Sequence, residues 1–543
     1  MKRFIEEYNG EVFDLAIIGG GITGAAVAYD AAARGFSVAL LEKGDFGAAT
    51  SSATSKLIHG GLRYLANAEF GLVRESLRER RILENIAPNL VYPMPSLIAT
   101  YAGQGLMNGR QALRAGMILY DILSYDKGGT WDRAKALPRH RSLSPKKVLD
   151  LEGSVRPDKL NGGFVYYDCL SAFPERLTLA FIKSAVSRGA RAANYARVDD
   201  FVMEGKKITG LAVTDTLTGA SVRINASLVV NCAGPWADIV LSKAMHREAE
   251  RHIRRSEGIH LITKKMVNTH MVGLRTARGR HIFFIPWRGH TLIGTTDREY
   301  VGSPDEYRVS RESVNEFLAE VNESFGDGKL GYNDIIHVYG GLRPLVESQT
   351  AGTYSQSRRY EIYDNAEDGV EGLISVEGGK YTTSRNLADK VMDLVEKKSG
   401  RKAAPCVTAD EYLTGCDIPD MKAFEAALLS EKIFQAQTMK YLATAYGTEY
   451  RQVLDIAKTD PKLSEPLNAD GEMLAEVVHA ARHEMARTLL DILMRRTGIG
   501  TIGNPGDAVL KKVADAAGAE LGWDSAKKAD EIKKASAKFS LPR

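Results

Sequence analysis

The apolar positions of this chain form short unbroken runs over most of its length and give way to helical periods towards its end. Val12 to Ile18, VFDLAII, is bounded by Gly10 and Gly19 and reads as a parallel strand buried on both faces. AAVAYDAAARG then reads as a small-residue helix stopping at Gly35, and SVALLE as a second strand ending at Glu42. The next stretch, KGDFGAATSSATSKLIHGGLRYL, is rich in Gly, Ser and Thr and predicts an extended, turn-rich segment instead of a third strand. Further on, LTLAFIKSAVSRGARAANYARVDDFVMEGKKITGLAVTD predicts a helix, a strand and a hairpin turning at Glu204-Gly205.

HIFFIPW and HTLIGTTD, joined by Arg288-Gly289, read as neighbours in an antiparallel sheet. Met107 to Tyr125 is mostly apolar with Arg110, Arg114 and Asp121, and predicts a helix that either fills a core or lies in a lipid interface. Near Ala403 to Pro405 the composition shifts. MKAFEAALLSEKIFQAQTMKYLATAYG, MLAEVVHAARHEMARTLLDILMRRTGIG and DAVLKKVADAAGAELGW are helical patterns, so an all-helical domain is expected over 405–543.

At 543 residues the chain should divide into two or three domains. With 44% hydrophobic and 26% charged residues it has a globular composition, and a net charge of +4 without a clustered basic face gives no case for nucleic acid. Cys169, Cys232, Cys406 and Cys416 form no CxxC pair and read as reduced thiols of a cytosolic protein, with no disulfide framework and no metal site expected. His479 and His483 have a ligand-like i, i+4 spacing but no evident third ligand, and read as polar residues of a helix. The polar first eleven residues do not read as a signal peptide, and no apolar run is long enough to span a bilayer. The lysines of KKADEIKKASAKFSLPR read as a solvated helix end.

Gly19, Gly21 and Gly24 satisfy G-x-G-x-x-G between the first strand and its helix, with Gly20 inside the turn. The first glycine permits the tight turn, the second lets backbone approach a pyrophosphate, and the third lets the helix pack on the sheet. The helix N-terminus then offers N–H groups and a positive dipole end to the phosphates. Glu42 can accept hydrogen bonds from an adenosine ribose, and its charge disfavours a 2'-phosphate. ASLVVNCAGPWAD, with Ala233-Gly234, and GLISVEGGKYTTSRNLADKVMDLV, with Gly378-Gly379, are further strand-to-turn pieces far downstream. One ligand touched at three distant points favours an extended, tightly held FAD over exchangeable NAD. Within the turn-rich segment, Thr50, Ser51, Ser52 and Lys56 are the expected hydrogen-bonding set, while Gly60 and Gly61 let backbone lie against a flavin with His59 at its face.

GGGITGAAVAYDAAARGFSVALLEKGDFGAATSSATSKLIHGGLRYL resembles the opening of the FAD-dependent glycerol-3-phosphate dehydrogenases of the glycine/D-amino-acid oxidase-like superfamily. The likeness continues through NCAGPW, IPWRGHTLIGTTDREY, YGGLRPL, SVEGGKYTTSRNLA and EMARTLLDILMRRTGIG, and so covers essentially the whole chain. It implies oxidation of sn-glycerol 3-phosphate to dihydroxyacetone phosphate, with electrons passed to a membrane quinone. The implied fold is an α/β FAD-binding Rossmann-like domain, an antiparallel-sheet substrate domain and an all-helical C-terminal cap domain. Their expected extents are 12–100, 150–235 and 335–400 for the first, 101–149 and 236–334 for the second, and 405–543 for the third. The implied location is cytoplasmic, peripheral on the inner face of the cell membrane, with a homodimer left open.

A secondary alcohol can lose a hydride only if its hydroxyl proton also leaves, so a base must sit close to that oxygen. The phosphate needs fixed positive charge, for which an Arg fork is best suited. By resemblance, Arg343 on a Pro-stiffened turn and Lys380 after Gly378-Gly379 recognise substrate, with Arg63, Tyr64, His260, Thr295 and Thr296 in the same pocket. The expected cofactor set is completed by Leu57 and by Val198, Gly379 and Lys380. His59, Arg343 and Lys380 are the catalytic candidates, and His260 competes with His59 for the role of base. The alternatives are a glycerol-3-phosphate oxidase that releases hydrogen peroxide, although such oxidases commonly carry an insertion with no match here, and a non-catalytic FAD-containing scaffold.

Overall fold

A computed structural model describes residues 1–65, 67–103, 109–276, 279–324, 329–346 and 359–543. Met107, at the start of the expected amphipathic helix, lies outside the described residues, as do parts of the expected 101–149, 236–334 and 335–400 stretches.

The strand Val12–Ile18 sits in the middle of an eight-stranded sheet, parallel to Ser221–Asn231 on one side and Val38–Leu41 on the other. Leu373–Gly378 and Arg191–Ala193 extend the parallel core outwards. Leu15 and Ile17 face a layer built from the helices Ile22–Ala33, Pro174–Ser187 and Ser384–Ser399. Ala16 and Ile18 face the hairpin Ala196–Glu204/Lys207–Asp215 and the helix Ala237–Met245. A strand covered on both sides must be apolar at every position, which is why the opening run shows no alternation. The hairpin turns at Gly205, whose φ is +63°.

Among the described residues a second sheet of ten strands is antiparallel apart from one parallel pairing, between Met271–Arg275 and Val91–Tyr101. His281–Trp287 and His290–Gly294 meet through Arg288 and Gly289, both with positive φ, the geometry of a two-residue hairpin turn. Residues 57–58, 91–101, 160–171 and 335–345 belong to this sheet, although they fall inside the stretches expected for the first domain. Leu57–Ile58 pairs with Leu170 and Cys169, so the Gly/Ser/Thr-rich segment is not strand-free. Arg343 and Pro344 lie within the strand Ile335–Leu345 and not on a turn. That strand pairs with Arg254–Lys264, with Pro344 opposite Arg255 and Arg343 opposite Ser256.

Beyond 405 the chain is helical: Met421–Ser430, Ala436–Tyr446, Tyr450–Ala457, Leu474–His483, Asp507–Leu521 and Ser525–Phe539. The run EMARTLLDILMRRTGIG is broken and not one helix. Glu484 is buried on Arg176 and Met485 takes a positive φ; the chain restarts at a Thr488/Asp491 capping box and makes a π-helical turn over Ile492–Arg496. That turn ties the C-terminal domain to the nucleotide end of the molecule. Arg495 and Arg496 both donate to Asp45, three residues after Glu42, at 2.6–2.8 Å. Burial alone would raise the Asp45 pKa, but the two guanidiniums hold it well below the usual carboxylate range.

Candidate active site

A cavity of about 1430 Å³ lies between the two sheets, with walls that include Ile18 and Val376 from the first and Gly273, Phe283 and Arg343 from the second. Pockets for drug-sized ligands run to roughly 300–1,000 Å³, so this one has room for an extended dinucleotide with a small substrate beside it.

One wall is the strand-to-helix turn. Gly19 has a φ of +106°, and a Cβ there would lie 2.5 Å from the Cys232 carbonyl oxygen; one on Gly24 would lie 1.9 Å from the Gly19 carbonyl. The turn closes only with hydrogen at both places. Glu42 accepts from the backbone N–H of Gly20 at 2.7 Å and of Gly44 at 2.8 Å, yet burial still leaves its pKa raised. Each carboxylate oxygen keeps a lone pair for a ribose hydroxyl. Gly21, Thr50, Ser51, Val198, Ala233 and Gly234 share this wall. The Ser51 hydroxyl also accepts the N–H of Ile22 at 2.9 Å, so it caps the helix that the phosphates would approach. These features fit an FAD: hydrogen-only turns, a helix N-terminus and a half-buried acid at the end of the second strand.

Five of the expected contacts lie outside the cavity wall. Gly20 packs against Phe46 and the Glu42 stem, and Gly24 packs on the turn. Ser52 donates to the Ala48 and Ala49 carbonyls. The Lys56 ammonium is buried 3.2 Å from Glu175 and 4.6 Å from the Trp287 ring, so its charge is already matched. Gly60 leaves no room for a Cβ because Leu77 and the Tyr120 hydroxyl would each stand 2.4 Å away.

On the other wall stand Leu57, His59, Gly61, Arg63, Tyr64, His260, Thr295, Thr296, Arg343, Gly379 and Lys380. His59 is half-buried and its N–H donates to Thr382 Oγ1 at 3.3 Å. Desolvation lowers its pKa to about 4; Asp168 acts in the opposite sense, while Lys380, Arg63 and Arg80 reinforce the shift. The imidazole is therefore neutral at pH 7 and able to take a proton. His260 is fully buried, stacked 4.9 Å from the Tyr339 ring, and shares a 2.8 Å hydrogen bond between Nε2 and the Ser55 hydroxyl. Burial, then Arg343 and Lys56, push its pKa well below the usual value.

Arg343 donates to Thr295 Oγ1 at 2.7 Å, to the Thr296 carbonyl at 3.0 Å, and to Ser256 Oγ and the Glu257 carbonyl at 3.2–3.3 Å. Lys380 donates to Ser76 Oγ and lies 5.0 Å over the Tyr64 ring. Burial lowers its pKa to about 8, against the pull of Glu75 and Glu69. The Arg63 guanidinium stacks 4.9 Å over the same Tyr64 ring. A neutral imidazole, two cations sharing one aromatic ring and a pinned guanidinium thus face one space, a set suited to a phosphorylated alcohol.

Sequence reasoning missed Asp168, Arg80, Tyr120, Ser76 and Ser55. An acid inside the apolar run FVYYDCLSAF was a legible signal for Asp168. Nothing in the sequence distinguishes Ser76 or Ser55 from other serines. Asp30, Asp389 and Cys406 lie within metal-ligand reach of one another, but Arg34 donates to both carboxylates at 2.7–2.8 Å.

Residues 14–385 match the family described as FAD dependent oxidoreductase, and residues 406–528 match the C-terminal domain of alpha-glycerophosphate oxidase. The chain is 36% identical to a glycerol-3-phosphate dehydrogenase of Synechocystis sp. over 96% of its own length and 95% of the relative's. It is 34% identical to the aerobic glycerol-3-phosphate dehydrogenase of Bacillus subtilis, covering 91% and 89% respectively. Its fold matches the X-ray structure of the glycerol-3-phosphate dehydrogenase from Bacillus halodurans complexed with FAD, with a TM-score of 0.78 and 28% identity over 98% of this chain and 96% of that one. The fold is thus an α/β FAD-binding domain with an antiparallel-sheet substrate domain and an all-helical C-terminal cap, and the chain belongs to the FAD-dependent glycerol-3-phosphate dehydrogenase family.

Proposed function

We propose that this protein oxidises sn-glycerol 3-phosphate to dihydroxyacetone phosphate and passes the electrons to a membrane quinone. The observation that carries this reading is one cavity lined by a neutral His59 together with Lys380, Arg63 and Arg343, in a chain whose relatives are named for that substrate. FAD, when bound, supplies the acceptor for the hydride. In this reading Gly19, Gly21, Glu42, Thr50, Ser51, Val198, Ala233 and Gly234 hold its nucleotide half, and Leu57, His59, Gly61 and Gly379 approach its ring. Lys380 and Arg343, with Arg63, Tyr64, Thr295 and Thr296, hold the phosphorylated substrate, and His59 takes the hydroxyl proton. The domain extents expected from sequence are kept as part of this proposal, except that the strands at 57–58, 91–101, 160–171 and 335–345 join the substrate-side sheet.

Peripheral membrane contact forms part of the proposal. No helix of the described residues is long and apolar enough to cross a membrane. The helix Arg110–Leu123 buries Met117 and Tyr120 and leaves Ile118 and Ile122 exposed, with Tyr125 just beyond, which gives an apolar face a lipid surface would accept. A cytoplasmic, inner-face location and a homodimer complete the reading. Oxygen as acceptor is the second reading, supported by the match of residues 406–528 to a glycerophosphate oxidase domain. Aerobic turnover with a soluble quinone separates the two: quinone reduction with little peroxide is expected, and stoichiometric peroxide would give the second reading.

A further inference from the structure

We propose that Asp168 is a positioning residue that makes His59, and not His260, the base of this site. The inference rests on the reading of the site as one that oxidises an alcohol. Asp168 is buried at 2% exposure, yet it contributes to the cavity wall alongside His59. It accepts the N–H of Gly60, the residue after His59, at 3.2 Å, and both its oxygens lie 2.8 Å from the Tyr120 hydroxyl. Arg80, equally buried, donates to Asp168 Oδ1 at 2.7 Å and to the neighbouring Tyr167 carbonyl at 3.2 Å. The carboxylate is therefore clamped from three elements, and the His59-Gly60 backbone is clamped to it.

The groups facing His59 come from every side. Asp168 stands on the strand Leu160–Ser171, Lys380 on the turn after Leu373–Gly378, Arg63 on the 3-10 turn Leu62–Leu65, and Arg80 on the helix Phe70–Ile86. Tyr120, on Arg110–Leu123, is the titratable group behind them. Asp168 is the single acid among these charges, and His59 is the ring it favours in the protonated state. His260 faces the opposite situation: Arg343 and Lys56 are its charged neighbours, both cations, and its Nε2 already shares a hydrogen bond with Ser55. As the C–H hydrogen of the alcohol leaves with its electron pair for the hydride acceptor that a bound FAD would supply, the O–H proton would pass to His59. The imidazolium so formed sits among three cations but has Asp168 as its strongest charged neighbour, whereas one at His260 would sit beside two cations with no acid to offset them. The proton is later released to water, which restores the neutral ring.

The test is anaerobic, pH-jump stopped-flow reduction of the FAD-loaded enzyme by glycerol 3-phosphate. It is run on wild type, His59→Asn, Asp168→Asn and Tyr120→Phe, with flavin content and circular dichroism checked for each. His59→Asn is expected to slow reduction by about 10²-fold or more; near-normal reduction would overturn the base and, with it, the role of Asp168. Asp168→Asn is expected to move the acid limb to lower pH and to lower the plateau by up to about tenfold per unit moved, with KM nearly unchanged. Tyr120→Phe frees the carboxylate of one donor and is expected to move the limb the other way. A slow His59→Asn with an unmoved limb in Asp168→Asn would overturn the positioning role alone. Asp168→Asn leaves Arg80 buried without its acid; where that variant does not fold, Tyr120→Phe decides, and an unmoved limb there overturns the proposal.

Discussion

Lys380 is a cation of the cavity wall whose charge state is brought towards working pH. Its lowered pKa of about 8 means that the ammonium is charged at pH 7 and is lost as the pH rises through that value. Because kcat/KM reports the free enzyme, its value for glycerol 3-phosphate is expected to fall by about tenfold from pH 7.5 to pH 9. Lys380→Met should flatten that limb and lower the plateau; a profile that keeps its basic limb in the variant would assign the charge elsewhere. His59, Arg63 and Lys380 were legible as residues of the cavity wall because glycines or an aromatic neighbour isolate them in sequence. Lys56 was not legible as structural. Its partner Glu175 lies more than a hundred residues downstream, and a buried ion pair leaves no local pattern. Arg343 was read on a turn because two glycines and a proline surround it. The structure makes that stretch a strand whose glycines admit neighbours: a Cβ on Gly340 would meet the Tyr307 hydroxyl at 2.6 Å, and one on Gly341 the Ala53 side chain at the same distance.

At the scale of elements, the helix Arg110–Leu123 is the one for which pattern left two readings open, core or lipid surface. Its inner side is a core side: Met117 and Tyr120 are buried, and Arg110 is occupied by the Asn161 and Leu143 carbonyls and Ser142 Oγ. Its outer side keeps Ile118 and Ile122 in contact with solvent. The core reading thus holds for the inner side, and the lipid reading concerns the outer side alone, because hydrophobicity cannot say which apolar stripe meets protein. The double variant Ile118→Glu, Ile122→Glu is expected to reduce pelleting with anionic vesicles several-fold while leaving flavin reduction by glycerol 3-phosphate unchanged. Equal pelleting of variant and wild type would remove this helix from any membrane face. The strand, glycine turn and helix of 12–33 were the most legible element of all, since each step is enforced locally by backbone geometry.

For the whole molecule, the cap and the nucleotide turn are held together by buried charge. Asp45, Arg495 and Arg496 come from positions about 450 residues apart and were invisible as a set in the sequence. Asp45→Ala would leave the buried Arg496 without its acid and Arg495 with Asp491 alone, and breaking such a buried pair costs on the order of 3–5 kcal/mol. The expected result is a clear loss of thermal stability with a matching loss of FAD retention; an unchanged melting temperature would show that the clamp contributes nothing. The general plan, a parallel nucleotide sheet, an antiparallel sheet over it and a helical cap, was implied by the family resemblance, and the helical period beyond 405 was legible in the residues themselves. The partition of strands between the two sheets was not, because 57–58, 91–101, 160–171 and 335–345 pair across long gaps in sequence.

The most direct measurement is the flavin absorbance of the FAD-loaded protein as sn-glycerol 3-phosphate is added without oxygen. The cavity, its neutral imidazole and its cations predict rapid bleaching of the oxidised flavin band by glycerol 3-phosphate, with glycerol at the same concentration having little effect. An oxidised spectrum that glycerol 3-phosphate leaves unchanged would contradict the account and make this protein an FAD-containing scaffold.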